Sequence, residues 1–185
     1  MEDAERFIVI TGGPGSGKST LIEALESRGY SRSIEAGRGV IQDQVVIGGN
    51  ALPWKDRSSF AALMLGWEMR SYRIAQRISG IVFFDRGVPD IIGYLRVMNL
   101  PVPAHFRKAA EMFRYKREVF IAPPWDEIFV QDHERKQDFA EAVRTYDAMV
   151  TTYEELGYEL IELPRASVEK RAEFVLNAVG SCGPR

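Results

Sequence analysis

The stretch Phe7-Ile-Val-Ile-Thr-Gly-Gly-Pro-Gly-Ser-Gly-Lys-Ser-Thr20 decides the fold of this chain. It begins with a continuous run of apolar and β-branched residues, which is typical of a strand buried on both faces of a parallel sheet. Gly12 to Ser19 then matches the pattern G-x-x-x-x-G-K-[ST] without a mismatch. An amphipathic run at about 18–28 predicts a helix directly after the loop. A strand, a glycine-rich loop and a helix in this order predict a phosphate-binding site.

The residue types in this loop suit the triphosphate of a nucleotide such as ATP. Glycines allow backbone N–H groups to turn inward around an anion, and the following helix points its positive end at the same place. Lys18 is expected to contact the β- and γ-phosphates, and the Ser19 hydroxyl to ligate Mg²⁺. The G-x-G-x-x-G pattern of dinucleotide-binding proteins is absent. The predicted nucleotide-binding residues are Gly12, Gly13, Pro14, Gly15, Ser16, Gly17, Lys18, Ser19 and Thr20.

Strand-like and helix-like runs alternate along the remaining chain. This alternation predicts an α/β fold, a three-layer α/β/α sandwich around a five-stranded, mostly parallel sheet. A length of 185 residues predicts a single domain over 1–185. The later predicted strands are Arg32–Glu35, Ile81–Phe84, Val119–Ala122 and Tyr158–Leu163. Helices are predicted at about 36–46, from a cap at Asp56 or Ser58 to Gly80, and at about 88–99, 103–114, 139–156 and after Ser167. In the helix that ends at Gly80, spacings of three, four and seven predict an apolar face of Phe60, Leu63, Met64, Trp67, Ile74, Ala75 and Ile78.

The composition of the chain indicates which partners and which cellular compartment to expect. The chain has 24 basic and 26 acidic side chains and a net charge of -2, which argues against binding nucleic acid through bulk positive charge. The single cysteine, Cys182, cannot form an internal disulfide and favours a reducing compartment. The polar N-terminus precedes no signal-peptide apolar region, and the apolar runs are too short to cross a bilayer. We therefore expect a cytoplasmic protein with neither membrane nor nucleic-acid partners.

A second motif, Phe84-Asp85-Arg86-Gly87, ends the predicted central strand. Ligands of parallel α/β sheets bind beyond the carboxyl ends of the strands, so Asp85 is expected to face the phosphate loop. A carboxylate there can hold a Mg²⁺-bound water or accept a proton from an attacking hydroxyl, and Arg86 can clamp phosphate oxygens. The alternative interpretation is that Asp85 caps the next helix and Arg86 is solvated.

Three stretches together resemble a known family. They are the loop Gly12–Thr20, then Phe-Phe-Asp-Arg-Gly-Val-Pro-Asp90, then Gly-Tyr-Glu-Leu-Ile-Glu-Leu-Pro-Arg-Ala-Ser-Val-Glu-Lys-Arg171. The chain resembles the small "AAA domain" predicted ATPases, which are similar to the kinase domain of nicotinamide riboside kinases and, more distantly, to thymidylate and deoxynucleoside kinases. The resemblance covers nearly the whole chain. It implies the P-loop NTPase fold of nucleoside and nucleotide kinases.

The resemblance also implies a lid that closes over the phosphates. The corresponding segment is about 123–138, where Arg135 and Lys136 are candidates to neutralise charge in the transition state, Arg135 as a catalytic residue. The alternative is a solvated loop, and His133 is expected to serve in packing. The lone cysteine and two histidines offer no zinc-binding spacing.

An acceptor pocket is expected between the second strand and the helices at about 36–78. Glu35 and Arg38 lie at or just after the ligand end of that strand, and Trp54 lies in a Pro-Trp loop where its ring could stack on an acceptor. Trp54 could equally be a packing residue. The leading hypothesis is a Mg²⁺- and ATP-dependent kinase for a small nucleoside- or nucleotide-like metabolite. The alternatives are a regulatory nucleotide-binding module and a slow NTPase acting with a protein partner.

The phosphate loop generates the first testable prediction. Lys18→Ala removes a charge-assisted contact worth about 1.5–3 kcal/mol. We expect nucleotide turnover to be abolished and triphosphate affinity to fall more than about tenfold, measured by calorimetry and by a coupled assay for ADP. A variant that binds and turns over ATP like the parent would contradict the assignment of this loop.

Overall fold

The computed structural model describes residues 3–129 and 138–180 as alternating strands and helices. The strands are β1 Phe7–Gly12, β2 Ser31–Arg32, β3 Val82–Asp85, β4 Glu118–Ala122 and β5 Glu159–Glu162. The helices are α1 Asp3–Arg6, α2 Lys18–Glu26, α3 Ala36–Val46, α4 Arg57–Ala75, α5 Val88–Val97, α6 Ala104–Met112, α7 Phe139–Glu155 and α8 Val168–Val179, with a 3₁₀ turn at Asp126–Ile128.

The sheet confirms the predicted α/β fold. Its strands are ordered β2-β3-β1-β4-β5, and every neighbouring pair is parallel. The second strand is shorter than predicted, since Ser31 and Arg32 pair with β3 and Ser33 adds one backbone hydrogen bond. The chain then leaves the sheet because Glu35 is already the N-cap of α3. Among the described helices, none combines the length and apolarity needed to span a membrane.

β1 runs through the centre of the sheet and is buried on both faces. Phe7 and Val9 pack in the core beneath α3 to α7, whereas Ile8 and Ile10 pack in the second core beneath α2 and α8. All four side chains are fully buried. Helices on both faces give the predicted three layers, and they fix the carboxyl end of β1 where the phosphate loop begins.

The buried face of α4 differs from the predicted one. Leu63 and Ile74 were expected in the core, but they are 43% and 48% exposed. Glu68 and Tyr72 are buried in their place. The helix packs between α3 and α5 along residues spaced four apart, and this spacing carries the polar Glu68 into the interior.

Asp90, in the first turn of α5, joins three parts of the fold. Its Oδ1 accepts hydrogen bonds from Thr11 Oγ1 at 2.5 Å and Arg86 Nη1 at 3.2 Å. Its Oδ2 accepts from the Tyr153 hydroxyl at 2.5 Å and the Gly87 backbone N–H at 2.9 Å. The carboxylate is 4% exposed. It therefore holds the end of β1, the turn after β3 and helix α7 together.

Asp90→Ala should destabilise the protein strongly, because it removes one of the two carboxylates that pair with Arg86 and leaves two buried hydroxyl groups without this acceptor. We expect the free energy of unfolding to fall by about 3–5 kcal/mol in urea titrations. Asp147→Ala, which removes an exposed carboxylate from α7, is the matched control and should change it by no more than about 0.5 kcal/mol. Equal effects of the two substitutions would refute the role given to Asp90.

Candidate active site

The phosphate loop closes around the ammonium group of Lys18. Lys18 is 5% exposed, and its Nζ donates to the Gly13 carbonyl at 2.6 Å and to Ser16 Oγ at 3.2 Å. Ser16 Oγ in turn donates to the same carbonyl at 2.8 Å. The described first turn of α2 contains no acidic residue that would oppose this charge. The loop therefore presents a lysine and a helix N-terminus to an anion.

Two loop positions admit no side chain. Gly15 and Gly17 have φ values of +69° and +74°, which disfavour other residues. A Cβ atom on Gly15 would lie 2.6 Å from the Phe129 ring, and one on Gly17 would lie 2.7 Å from Arg171 Nη1. Both terminal nitrogens of Arg171 donate to the Ser16 carbonyl at 3.1 Å. The loop is therefore packed from outside by two distant segments.

One of these segments is the start of the predicted lid at 123–138. Its described residues include the 3₁₀ turn at Asp126–Ile128 and the Phe129 ring against the loop. Arg135 and Lys136, like His133, lie outside the described residues. The catalytic role of Arg135 therefore stays a prediction.

Asp85 lies beside Ser19, as expected for a metal site. Asp85 Oδ2 accepts a hydrogen bond from Ser19 Oγ at 3.1 Å, and β3 carries Asp85 next to Ile10 of β1. Its Oδ1 is buried and has no hydrogen-bond partner among the described residues. Helix α5 is capped instead by Asp90, which accepts from the Gly87 N–H. A hydroxyl and a partly unsatisfied carboxylate are oxygen ligands of the kind that Mg²⁺ takes, so the pair fits this ion.

The charge around Asp85 supports the same interpretation. Burial raises the pKa of Asp85 and Glu35 raises it further, whereas Lys18, Arg86 and the Ser19 hydrogen bond lower it. A divalent cation would favour the ionised carboxylate. The described residues hold no group of three or more His, Cys, Asp or Glu placed to bind a metal. Mg²⁺ is commonly held by one or two carboxylates together with phosphates and water, so Asp85 and Ser19 are the described residues that would hold it.

Arg86 is held in a buried ion-pair network. Its Nε donates to Glu35 Oε1 at 3.2 Å, and its Nη1 donates to the Gly12 carbonyl at 3.0 Å and Asp90 Oδ1 at 3.2 Å. Burial acts to lower the pKa of Arg86, but the charges of Glu35, Asp90 and Asp85 outweigh it and raise the pKa. Within the described residues Nη2 donates no hydrogen bond, so this nitrogen is the part that could meet a phosphate. Phosphate contact by Arg86 remains a prediction.

A pocket of about 310 Å³ opens beside the phosphate loop, between α3, α4, α5 and α7. Pro14 of the loop, Glu35 and Arg86 line one part of it. Trp54, which is 57% exposed, also lines it, and acceptor binding by Trp54 stays a prediction. Arg38 is exposed on α3 and lies outside the described residues that line the pocket. The remaining lining is mainly apolar and includes Phe60, Met64, Ile91 and Met149.

Two polar groups in this pocket were not predicted. Glu68 is 1% exposed, and its Oε2 has no hydrogen-bond partner among the described residues; the same holds for the buried hydroxyl of Tyr94. Burial raises the pKa of Glu68 well above its ordinary value, with further contributions from Asp90, Asp85 and Glu35. Burial also raises the pKa of Tyr94 to about 12. The sequence could have indicated that Glu68 is buried, because Glu68 lies four residues after Met64, on the apolar face predicted for α4.

Comparisons with known proteins agree with this geometry. A protein-family model described as an AAA domain matches residues 7–171. NadR protein in complex with NR superposes with a TM-score of 0.72 at 18% identity over 94% of this chain. Thymidylate kinase from Ehrlichia chaffeensis gives 0.62 at 16% identity, over 94% of this chain and 98% of that one. Deoxyadenosine kinase from M. mycoides with bound dATP gives 0.58 at 15% identity, over 95% of this chain and all of that one.

The comparisons cover the matched proteins to different extents. This chain spans half the length of the NadR protein that it matches. No protein in the curated set matches the sequence. At 15–18% identity, the structural neighbours establish a shared kinase-like P-loop fold.

The raised pKa of Glu68 generates a prediction for stability against pH. The native protein retains a proton that the unfolded chain releases above the ordinary pKa of 4.5. The parent therefore loses stability relative to Glu68→Gln as pH rises from 4.5 towards the folded pKa, by about 1.4 kcal/mol per pH unit. Urea titrations of both proteins from pH 4 to pH 8 measure this difference.

The control is Glu173→Gln, which changes an exposed glutamate on α8. Its stability relative to the parent should vary little over the same pH range. A difference between parent and Glu68→Gln that does not depend on pH would contradict the burial of an uncharged Glu68.

Proposed function

This chain belongs to the AAA domain family, and on that premise we propose that it is a Mg²⁺-dependent kinase that transfers the γ-phosphate of ATP to a small nucleoside- or nucleotide-like metabolite. One observation carries the proposal. The pocket of about 310 Å³ lies beside the phosphate loop and has Pro14, Glu35 and Arg86 in its wall, where an acceptor would meet the γ-phosphate. A regulatory module would need the nucleotide half of this site but no acceptor pocket.

The chain supplies positioning and charge, which are the main requirements of phosphoryl transfer. The loop N–H groups and Lys18 bind the β- and γ-phosphates, and Ser19 and Asp85 would hold Mg²⁺. The ion, when bound, neutralises charge on the phosphate oxygens. Arg86, which lines the pocket, would contact a phosphate oxygen through Nη2.

The transfer requires one proton to be accepted. The acceptor's hydroxyl oxygen forms a bond to the γ-phosphorus, the bond from that phosphorus to the β–γ bridging oxygen breaks, and ADP leaves. Two carboxylates near the phosphate loop are candidates for the proton acceptor. Asp85 lies on the metal side against Ser19, whereas Glu35 lines the pocket. We assign Asp85 the leading role and Glu35 to acceptor binding.

The names of the structural neighbours support a nucleoside- or nucleotide-like acceptor. Deoxyadenosine kinase and thymidylate kinase are named for phosphoryl transfer to nucleosides or nucleotides, and NadR was crystallised with NAD and AMP-PNP as well as with NR. A screen of a metabolite library for ATP-dependent phosphorylation, read by mass spectrometry, tests the proposal. Failure to phosphorylate any metabolite would favour the regulatory module or the slow NTPase.

Asp85→Asn is the sharpest single test of this site. The amide is nearly isosteric, so we expect ATP affinity to stay within about threefold of the parent. Loss of the carboxylate should lower phosphoryl transfer about 10²–10⁴-fold. Calorimetry and turnover with the identified acceptor measure the two quantities, and turnover is repeated over a range of Mg²⁺ concentrations.

Glu35→Gln is the matched control, because it neutralises the neighbouring carboxylate on the pocket side. If Asp85 holds the ion, Asp85→Asn needs more Mg²⁺ for half-maximal rate, whereas Glu35→Gln keeps the parent's requirement and loses acceptor affinity. Parent-like turnover in Asp85→Asn would contradict the proposed role of Asp85.

A further inference from the structure

Arg171 of α8 is a buried cation packed against the phosphate loop. It is 2% exposed, and both of its terminal nitrogens donate to the Ser16 carbonyl at 3.1 Å. Its Nε is also buried and has no hydrogen-bond partner among the described residues. No described carboxylate pairs with this guanidinium. By contrast Arg86, which binds the loop at another carbonyl, pairs with Glu35 and Asp90.

A buried, unpaired guanidinium carries a cost that a neutral residue would avoid. Arginine stays protonated inside a protein, so the cost cannot be relieved by loss of its proton. Burial lowers the pKa of Arg171, and the charges of the described residues do not raise it again. Buried charges are ordinarily paired, whereas a carbonyl oxygen needs only a neutral donor. The positive charge of Arg171 therefore indicates a role beyond satisfying the Ser16 carbonyl.

The carbonyl that Arg171 holds belongs to a peptide group of the phosphate loop. The described peptide bonds are all trans, so the Gly17 N–H points away from the Ser16 carbonyl and from the guanidinium bound to it. This N–H donates to no described residue. It precedes Lys18 at the start of α2, so it is available to an anion in the loop. A cation at one end of a peptide group and an anion at the other polarise it in the same direction.

Gly17 makes the close approach of the guanidinium possible. A Cβ atom on Gly17 would lie 2.7 Å from Arg171 Nη1, which is too short for an ordinary contact. The guanidinium therefore occupies space that any other side chain at position 17 would need. Because Arg171 is almost fully buried, water and salt screen its charge much less than they screen a charge at the surface. Its electrostatic effect can therefore reach across one peptide group.

We propose that Arg171 is a positioning residue for the triphosphate. Its guanidinium fixes the Ser16–Gly17 peptide group and adds positive charge on the carbonyl side, so that the Gly17 N–H binds a phosphate oxygen more strongly. The ligand class is a polyphosphate anion, and Arg171 acts on it through the peptide group rather than by contact. The inference rests on the nucleotide-binding half of the proposed function and is independent of the acceptor.

Three substitutions separate the charge of Arg171 from its hydrogen bonds. Arg171→Lys keeps the charge but not the paired contact, Arg171→Gln keeps an N–H donor without the charge, and Arg171→Met keeps neither. Calorimetry measures the affinity of each protein for AMP-PNP with Mg²⁺. We expect Arg171→Lys to stay within about threefold of the parent. Arg171→Gln and Arg171→Met should each lose more than about tenfold, because a buried charge acts with little screening.

A purely structural role of Arg171 predicts a different order of affinities. If the paired contact were what mattered, Arg171→Lys would be as impaired as Arg171→Met. If one hydrogen bond to the Ser16 carbonyl were enough, Arg171→Gln would bind like the parent. Either result overturns the inference.

Circular dichroism checks that each variant is folded. If one neutral variant does not fold, Arg171→Lys is compared with the other, and the test stays decisive. If neither neutral variant folds whereas Arg171→Lys does, the charge serves the fold itself and the inference is overturned.

Inorganic tripolyphosphate is the second probe, because it lacks a nucleoside. The same order of affinities is expected for it, since the effect acts on phosphates. A loss confined to AMP-PNP would place Arg171 at the nucleoside and overturn the inference. The matched control is Lys170→Gln, which removes an exposed positive charge from the same helix and should change either affinity less than about twofold. An equal loss in the control would attribute the effect to net charge and refute the role of Arg171.

Failure of this inference and failure of the proposed function give different results. If the parent binds neither AMP-PNP nor tripolyphosphate, the nucleotide site itself is refuted. If the parent binds both and Arg171→Gln binds them equally well, only the role of Arg171 is refuted. Phosphoryl transfer to an acceptor is decided separately, by the metabolite screen.

Discussion

The buried carboxylate of Asp90 is the interaction on which the rest of the site depends. It binds Thr11 at the end of β1, Arg86 after β3 and Tyr153 on α7, so the sheet and the helices of one face meet at one side chain. Arg86 takes its orientation from this pairing, and through its Nη1 it also binds the Gly12 carbonyl at the start of the phosphate loop. The geometry of the nucleotide half and of the acceptor half is therefore set by the same buried ion pair.

Charge is distributed unequally across the site. Lys18 and the N-terminus of α2 give the phosphate side a positive character. On the pocket side, neighbouring carboxylates add to burial in raising the pKa of Asp85 and of Glu68. A triphosphate with its metal fits the first environment, and the proposed role of Asp85 at the metal fits the border between the two.

The sequence predicted the features that local chemistry determines. The β1–loop–α2 unit was predictable because the motif, the buried strand and the helix are contiguous, and β3, β4 and β5 follow from runs of apolar residues, whereas the short β2 contains none. Asp85 was placed correctly beside the loop because parallel strands end at one edge of the sheet. The buried state of Glu68 was missed, because it depends on which face α4 turns towards α5. Arg38 lies outside the described pocket lining because it is exposed on α3, and its role in acceptor binding stays a prediction.

The packing of the phosphate loop has a consequence for folding. The guanidinium that binds the Ser16 carbonyl belongs to α8, more than 150 residues after the loop along the chain. The ring that covers Gly15 belongs to Phe129, which is also far from the loop in sequence. Contacts between such distant residues form only when the intervening elements have folded together. The phosphate-binding motif is therefore local in sequence, whereas its packed form is a product of the tertiary fold.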